Sequence, residues 1–348
     1  PFVLSPSGEL RTTRTFDYEE LAVRKVRIRT TAASGESVDR TYRILVTDVV
    51  EDLDGDGRYD QRVVLLDGLV LPRALAVVNE GLLVGEPPNL WLCPHASQGN
   101  KRIDCAKKKR LGVFGSVEAN VEHDENGMLL GIDNWFYNAK SSRRIRLRNG
   151  AVESEPTLMR GQWGITSNNS GTLYYNTNSN LLMGDLYDAQ PVIEAGNSAA
   201  AGLAIEVSKD DKLYAVRVNT GVNRAYVPGV LREDGRLNRP TSASGMAFYR
   251  GDQFPSSYAG DMFIAEPAAN AQVHLELKED ALAARTEHVL YADERWGERE
   301  FLASTDERFR PVDAKVGPDG ALYVIDMYRG KQVGQGRKSM TFSLTFHQ

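Results

Sequence analysis

Four aspartates in one short segment have the spacing of a cation-binding loop. In D-L-D-G-D-G-R-Y-D (residues 52–60), Asp52, Asp54, Asp56 and Asp60 fall at positions 1, 3, 5 and 9 of an EF-hand-like loop, with Gly at the sharp turn. Carboxylates that alternate along a tight turn can converge on one hard cation, so the spacing predicts a calcium site. Position 12 is Val63, which lacks the usual bidentate carboxylate and indicates modest affinity. The alternative interpretation is a solvated acidic turn.

The elements that must position such a loop are short strands that follow polar turns. A Gly, Asn or Asp turn followed by β-branched, aromatic and Leu residues recurs along the chain at intervals of roughly 50 residues. Its six copies are Asn79–Gly85, Asp133–Tyr137, Asn168–Tyr175, Lys209–Val216, Ala259–Ala265 and Gly317–Val324. A four-stranded propeller blade has about 40–50 residues, whereas a β-helix needs a far shorter repeat and a sandwich needs no recurrent phrase. We therefore expect an all-β chain with a six-bladed β-propeller over residues 50–330.

Composition argues against several classes of partner. The 348 residues include 26% charged residues and carry a formal net charge of −5, which gives no footprint for nucleic acid or for an anionic membrane. No apolar run approaches the ~20 residues of a transmembrane helix. The sequence begins with Pro1 inside a strand-like pattern. We therefore expect a fragment or a processed product, in which a missing signal peptide has no meaning.

Residues 1–49 have a pattern of their own. Alternating residues in 23–30 and 42–49 predict two strands. The segments 8–19 and 47–52 resemble the second half of a cadherin repeat, a small Ig-like β-sandwich, whose carboxylates bind calcium at domain junctions. Asp17, Glu19 and Asp48 match those positions, whereas Val50 and Glu51 depart from the usual Asn-Asp. We expect a short, partial cadherin-like β segment.

The segments after residue 243 carry a more specific resemblance. They are S-G-M-A-F-Y-R-G-D-Q-F-P (244–255), G-D-M-F-I-A-E-P (260–267) and F-R-P-V-D-A-K-V-G-P-D-G-A-L-Y-V-I-D-M-Y-R-G (309–330). They resemble quinoprotein sugar dehydrogenases and, over about 52–330, a bacterial group described as membrane-bound dehydrogenases. The resemblance implies oxidation of a sugar or alcohol hydroxyl by hydride transfer to pyrroloquinoline quinone in an axial funnel, with a cytochrome c as electron acceptor. The sequence has no C-x-x-C-H segment, so no covalent haem is expected in this chain.

The resemblance also implies roles for five residues. His123 matches the general base that removes the substrate hydroxyl proton, and imidazole exchanges protons near neutral pH. Gln162 in R-G-Q-W-G-I-T matches an amide that faces the quinone. Arg224 and either Arg308 or, preferably, Arg310 would hold its three carboxylates through forked hydrogen bonds. The alternatives are a histidine bonded to a neighbouring turn and arginines in salt bridges on blade edges. A departure is F-Y-N-A-K-S-S after His123, where sugar dehydrogenases carry a Thr/Gly/Asp phrase.

Two local questions stay open at this level. Cys93 and Cys105 flank a polar loop and predict either a disulfide in an oxidising compartment or two free thiols. Residues 331–348 carry no propeller phrase and are a divergent tail, a closing strand over 340–346, or a sequence artefact. The resemblance to sugar dehydrogenases implies a periplasmic or extracellular location.

A second functional class competes with the enzyme. A propeller behind a cadherin-like segment would also suit a non-catalytic, calcium-stabilised module for adhesion or glycan binding. Such a module would repeat one set of aromatic and polar residues in every blade, and this sequence does not. The candidate residues instead differ from blade to blade, as one axial site requires. We therefore favour the oxidoreductase.

Overall fold

The structure of the protein is a computed structural model that describes residues 65–97, 100–116, 120, 123–197, 200–280 and 283–327. Backbone strands are also described at 2–4, 10–12, 23–31, 37–45, 49–51, 61–63 and 342–344. Within these ranges the chain is almost entirely β, as the sequence predicts, with one short α-helix, α1 (Gln190–Glu194). Short 3₁₀ helices lie at Cys105–Lys107, Ser256–Tyr258 and Pro267–Ala269. The chain forms two compact units, Pro1–Val117 and Glu118–Gln348.

The first unit contains three hairpins and one larger antiparallel sheet. The hairpin strands are β1 (Phe2–Leu4), β2 (Leu10–Thr12), β3 (Val23–Thr31), β4 (Ser37–Leu45), β5 (Val49–Glu51) and β6 (Gln61–Val63). The larger sheet contains β7 (Ala74–Val78), β8 (Gly81–Glu86), β9 (Asn89–Ser97), β10 (Asn100–Ile103) and β11 (Lys109–Val113). Strands β7 to β10 run up and down in sequence order, and β11 pairs with β9. Val84, Leu90, Leu92 and Phe114 are buried in this sheet.

The second unit begins with two four-stranded sheets. The strands of the first are β12 (Asn126–Leu130), β13 (Phe136–Ala139), β14 (Arg143–Arg148) and β15 (Ala151–Pro156). The strands of the second are β16 (Ile165–Ser167), β17 (Leu173–Thr177), β18 (Asn180–Gly184) and β19 (Ile205–Glu206). Both sheets are antiparallel and have the up-and-down strand order of a propeller blade.

Three further sheets complete the second unit. The third sheet contains β20 (Met246–Phe248), β21 (Met262–Glu266), β22 (Ala271–Asp280) and β23 (Ala283–His288), and β26 (Leu302–Ala303) also pairs with β22. A hairpin joins β24 (Tyr291–Asp293) to β25 (Gly297–Arg299). The last sheet contains β27 (Pro311–Val316), β28 (Leu322–Asp326) and β29 (Phe342–Leu344). Within the segment 331–348, β29 is thus a strand paired with β28.

One of the six predicted strands is not formed. Lys209–Val216 contains no strand, and the prediction for this copy of the phrase is wrong. Its backbone N–H groups bond outside any ladder: the Leu213 N–H donates to the Asn238 carbonyl and the Tyr214 N–H to Glu300 Oε1. Leu213 is nevertheless fully buried, so the apolar residues of this segment correctly indicate burial but not a strand. The predicted number of six blades stays a prediction.

The first strands of the four larger sheets of the second unit, without the β24–β25 hairpin, lie side by side. β12 contacts β16, β16 contacts β20, and β20 contacts β27. Between the second and third sheets lies the largest apolar cluster, which includes Leu181, Leu182, Met246, Ile264 and Val273. A second cluster, rich in aromatic rings, packs the third sheet against the last one. This packing fixes the first strands, whose starts form the candidate site.

Candidate functional site

One edge of the second unit collects most of the candidate residues. In an antiparallel pair, the start of the first strand and the end of the second lie at the same edge. The starts of β12, β16, β20 and β27 and the ends of β13, β17, β21 and β28 therefore share one edge, which we call the rim. Residues 123–126, 157–164, 241–245 and 304–310 lead into the first strands there.

Side-chain hydrogen bonds to the main chain connect the sheets along the rim. Asn126 Nδ2 donates to the Gln162 carbonyl at 2.8 Å. Asn176 Nδ2 donates to the Ser244 carbonyl, and Ser244 Oγ donates to the Val312 carbonyl at 2.6 Å. All of the donor residues are buried, where losing a hydrogen bond is costly. Each bond therefore fixes one sheet against the next.

Two glycines allow this close approach of the first strands. A Cβ at Gly164 would collide with the Ser244 carbonyl, and a Cβ at Gly245 would collide with the Asp313 side chain. The sequence places glycine where backbones must touch, which is one of the structural uses of this residue. The rim is therefore built from backbone contacts that a side chain would force apart.

A short turn after β21 holds the arginine that the sequence favours. The Arg310 guanidinium donates through Nη1 to the Pro267 carbonyl at 2.7 Å and to Asn270 Oδ1 at 3.1 Å. Asn270 is fully buried in the left-handed conformation at φ 55°, and its Nδ2 donates to the Asp306 and Phe309 carbonyls. The turn 267–270 and the segment 304–310 are thus one hydrogen-bonded assembly, with Arg310 in its centre.

Three arginines lie in the segment 304–310 or against it. Besides Arg310, the exposed Arg308 pairs with Asp306 at 3.3 Å, and Arg217 lies 3.4 Å from Glu307. The pKa of the Asp306 carboxyl lies below its usual range, first because the backbone N–H of Arg308 donates to it and then because the Arg308 and Arg217 guanidinium groups attract the charged form. Sequence reasoning missed Arg217, because it lies outside the segments that carry the resemblance.

The segment that contains Arg224 contacts the turn 267–270 through another residue. The residue of its segment that contacts the turn is Asn219, whose Nδ2 donates to the Ala268 carbonyl at 2.9 Å. Arg224 itself is half-buried at φ 62° and accepts the Val227 N–H through its carbonyl. No bond between the Arg224 guanidinium and the turn 267–270 is seen among the described residues. The segment therefore contacts the rim through Asn219. A cofactor-binding role for the Arg224 guanidinium stays a prediction.

His123 and Gln162 both lie in segments that lead into first strands at the rim. His123 is exposed, and its backbone N–H donates to the Asn120 carbonyl at 2.7 Å. Gln162 is buried, with its backbone N–H bonded to the Asn176 carbonyl at 2.8 Å. Its Nε2 is buried and has no hydrogen-bond partner in the described part of the chain. An unpaired buried amide N–H is costly, so such groups are rare outside strained or functional positions.

A buried acid, Glu266, lies at the end of β21 beside the arginine turn. Its Oε1 accepts the Ser242 hydroxyl proton at 2.5 Å and the Ala268 N–H at 3.3 Å, and its Oε2 accepts the Ser242 N–H at 3.3 Å. The side chain is fully buried, and this burial raises the pKa of Glu266 to about 7. The signal that could have identified it is the acid that ends the apolar strand M-F-I-A-E immediately before a proline turn.

The predicted calcium ligands lie outside the described residues. This applies to Asp52, Asp54, Asp56 and Asp60 and to the cadherin-like positions 17, 19 and 48. In the part of the chain that is described, no three His, Cys, Asp or Glu side chains are grouped so that they could hold a metal. The calcium site stays a prediction.

The two cysteines are joined. Cys93 in β9 and Cys105 in the following 3₁₀ helix form a disulfide, with their Cα atoms 4.4 Å apart. Both are buried beside Val84 in the first unit. Of the two alternatives that the sequence leaves open, the structure therefore has the disulfide.

The rim offers a donor set that fits pyrroloquinoline quinone. Its three carboxylates require cations with forked hydrogen bonds, and the segment 304–310 contains two arginines and pairs with a third. Two of them are held by partly exposed carboxylates, a kind of pair that contributes little stability and can exchange partners. The Gln162 Nε2 adds a donor with no partner among the described residues.

Similar proteins are found by sequence and by structure. None of the curated proteins matches this chain. Solved structures similar to it include a glucose dehydrogenase, at 18% identity over 75% of this chain and 95% of that chain, with a TM-score of 0.36. An oxidoreductase of Thermus thermophilus described as a glucose dehydrogenase has 17% identity over 78% and 94%, with a TM-score of 0.36. The PQQ-bound aldose sugar dehydrogenase of Streptomyces coelicolor has 15% identity over 84% and 96%, with a TM-score of 0.34.

Two further findings concern the chain as a whole. No helix in the described part is both long and apolar enough to cross a membrane. Residues 37–333 match the family described as a domain of unknown function, DUF7133. Because this match covers most of the sequence, the chain belongs to the DUF7133 family.

Proposed function

We propose that this chain is a quinoprotein-type dehydrogenase that oxidises a hydroxyl of a sugar or an alcohol at the rim. Its cofactor would be pyrroloquinoline quinone, and a cytochrome c would serve as electron acceptor. The observation that carries the proposal is that the segment 304–310 contains Arg308 and Arg310 and pairs with Arg217 through Glu307, at the edge that also holds Gln162 and His123. Residues almost 190 positions apart in the sequence are thereby brought to one edge of the second unit.

The residues of the chain divide the work between binding and proton transfer. The three arginines and the Gln162 amide would bind the cofactor, with Arg310 oriented by the Pro267 carbonyl and Asn270. When bound, the quinone supplies an acceptor for the hydride of the substrate carbon. The exposed imidazole of His123 can accept the hydroxyl proton, because a neutral ring nitrogen is a base near pH 7. Releasing that proton to solvent needs no further group.

Reconstitution of the chain tests the proposal directly. The purified protein is incubated with pyrroloquinoline quinone and calcium, desalted, and examined for retained quinone absorbance and for reduction of a dye by sugars and alcohols. We expect retained absorbance and dye reduction. Protein that retains no quinone would overturn the proposal and leave the calcium-stabilised binding module as the better interpretation.

Calcium at Asp52, Asp54, Asp56 and Asp60 belongs to the same proposal. The support is the 1-3-5-9 spacing of carboxylates around a glycine turn. Calorimetric titration of calcium into the parent and into a D54N/D56N variant is the measurement, and we expect the heat to vanish in the variant. Equal heats in both proteins would place the metal elsewhere.

We also propose a periplasmic or extracellular location. The Cys93–Cys105 disulfide supports it, because disulfides persist in oxidising compartments and are rare in the cytosol. Fractionation of the native cells, followed by thiol labelling with and without reductant, tests this point. A chain whose cysteines are freely labelled in the cytosolic fraction would contradict it.

A further inference from the structure

A fully buried carboxylate lies immediately behind the arginine turn. Glu266 ends β21, and the turn 267–270 begins at the next residue. Its two oxygens accept the Ser242 hydroxyl, the Ser242 N–H and the Ala268 N–H. One carboxyl group therefore holds two separate segments, the approach to β20 and the turn after β21, in a fixed relation.

The same turn provides the acceptors that orient Arg310. The Pro267 carbonyl accepts the guanidinium at 2.7 Å, and Asn270 Oδ1 accepts it at 3.1 Å. The Ala268 carbonyl, in the same turn, accepts Asn219 Nδ2 at 2.9 Å. Because Glu266 also accepts the Ala268 N–H, the carboxyl group and the guanidinium bond to neighbouring residues of the same turn.

We infer that Glu266 is a positioning residue of the rim, which keeps the turn 267–270 in the conformation that orients the Arg310 guanidinium towards an anionic ligand. This inference rests on the proposed function for the identity of the ligand. The geometry asks for a carboxylate in particular. An ionised carboxyl accepts all of these donors with acceptor atoms alone, whereas a protonated carboxyl or an amide also presents a donor of its own to them.

Other charged groups lie on the segments packed against the turn 267–270. The segment 304–310 contributes Asp306, Glu307, Arg308 and Arg310, and the segment 217–219 contributes Arg217. The approach to β20 at 241–242 offers only hydroxyls. The effect of Glu266 is therefore separated from that of the other charged groups by the conservative substitution Glu266→Gln.

The matched control is Asp211, a second buried acid of the same unit. Burial raises the pKa of Asp211 to about 6, and its Oδ1 accepts the Leu181 N–H at 3.3 Å, away from the turn 267–270. Asp211→Asn therefore removes a buried carboxylate and leaves the arginine turn intact. A general effect of losing a buried acid would change both variants alike.

Two measurements test the inference. Pyrroloquinoline quinone is titrated into the parent, E266Q and D211N from pH 6 to 8.5 and followed by tryptophan fluorescence, and hydrogen exchange is measured for the peptide covering 266–272. At pH 8.5 we expect E266Q to bind the quinone about tenfold more weakly, because Arg310 is no longer oriented for one charge-assisted hydrogen bond to it. We also expect faster hydrogen exchange in this peptide. D211N should match the parent. The affinity of the parent should fall as the pH drops below 7 and approach that of E266Q, whose profile stays flat.

The outcomes distinguish a failure of the proposed function from a failure of the positioning role of Glu266. If the parent does not bind the quinone, the proposed function fails, and exchange in the peptide alone decides the positioning role. Equal exchange and equal affinity in E266Q and the parent overturn the inference, as does an equal loss in D211N. If E266Q does not accumulate in folded form, the pH profile of the parent decides, and a flat profile overturns the inference.

Discussion

The rim and the opposite edge of the third sheet both contain buried polar side chains, but they satisfy them differently. At the far edge, His274 Nε2 lies 2.7 Å from Asp261 Oδ2, and His274 Nδ1 lies 2.7 Å from the Tyr291 hydroxyl, which is 3.2 Å from the Tyr258 hydroxyl. A carboxylate can only accept, so Nε2 donates to Asp261, and the Tyr291 hydroxyl is the partner of Nδ1. Every group in this series has a partner.

At the rim, several buried polar atoms have none within the described ranges. They are Asn138 Oδ1, Gln162 Nε2, Thr241 Oγ1 and both side-chain heteroatoms of Gln272. A satisfied buried network stabilises and specifies a fold, whereas unsatisfied groups cost stability and persist where something else requires them. The comparison supports the proposal, in which the far edge is structural and the rim is the functional site.

The largest expected effect is on turnover, from the base at the rim. His123→Ala should reduce kcat by about 10²–10⁴-fold, the usual contribution of a general base, and leave quinone affinity nearly unchanged. Steady-state dye reduction with the reconstituted protein measures it. His95→Ala is the control, because His95 lies in the first unit and its Nε2 contacts the Asn79 carbonyl. A variant at His123 with parental kcat would remove it from the mechanism.

The second effect is on stability, from the far edge. His274→Ala should lower the free energy of unfolding by about 3–5 kcal/mol, because it leaves the Asp261 carboxylate buried without its partner. It also removes a ring that stacks on Phe263 at 4.6 Å. Urea unfolding measures the loss, and kcat per folded molecule should not change. A fall in kcat comparable with that of His123→Ala would contradict the assignment of this edge to structure.

The two edges also differ in how far the sequence predicts them. The polar turn phrases correctly locate five strands, because a turn followed by an apolar run leaves little choice of structure. The phrase at Lys209–Val216 fails, because two of its N–H groups bond to a side chain and to a distant carbonyl outside a ladder. The family resemblance identifies Arg310 and Gln162 as candidates, and both residues lie at the rim. Arg217 could not be predicted, since its contact depends on a segment distant in the sequence, and for Glu266 the sequence offers only the signal of an acid that ends an apolar strand.

The third effect is a pH dependence of stability that originates at Glu266. Its pKa is raised from 4.5 to about 7 in the folded protein because of burial, so the folded state keeps a proton that the unfolded state releases. This contribution is present in full below pH 4.5 and is lost as the pH rises through 7. Between pH 5 and pH 8, Glu266→Gln should gain on the order of 3 kcal/mol relative to the parent.

Urea unfolding of both proteins at several pH values measures that difference, and the other titrating groups cancel in the comparison. Asp211→Asn should show a change of the same sign over a lower and narrower range, because the pKa of Asp211 is raised only to about 6. A pH-independent difference between Glu266→Gln and the parent would show that burial does not govern this carboxyl.

The smallest effect on stability is the sharpest test of the comparison. Gln162→Met replaces a buried amide, whose Nε2 has no partner among the described residues, with an apolar chain of similar length. Removing an unpaired polar group should change the free energy of unfolding by no more than about 1 kcal/mol and can increase it. If the amide is kept for the cofactor, quinone affinity should nevertheless fall by about tenfold.

Gln190 provides the matched control for this substitution. It is buried to a similar extent and its Oε1 also has no partner among the described residues, but its Nε2 donates to the Pro156 carbonyl at 3.2 Å. Gln190→Met should therefore lose about 1 kcal/mol of stability, the net value of a typical hydrogen bond, and keep the parental quinone affinity. The two variants should thus change opposite properties, stability for Gln190 and ligand affinity for Gln162. If Gln162→Met instead loses stability and keeps its affinity, the amide is structural and the difference between the two edges disappears at this position.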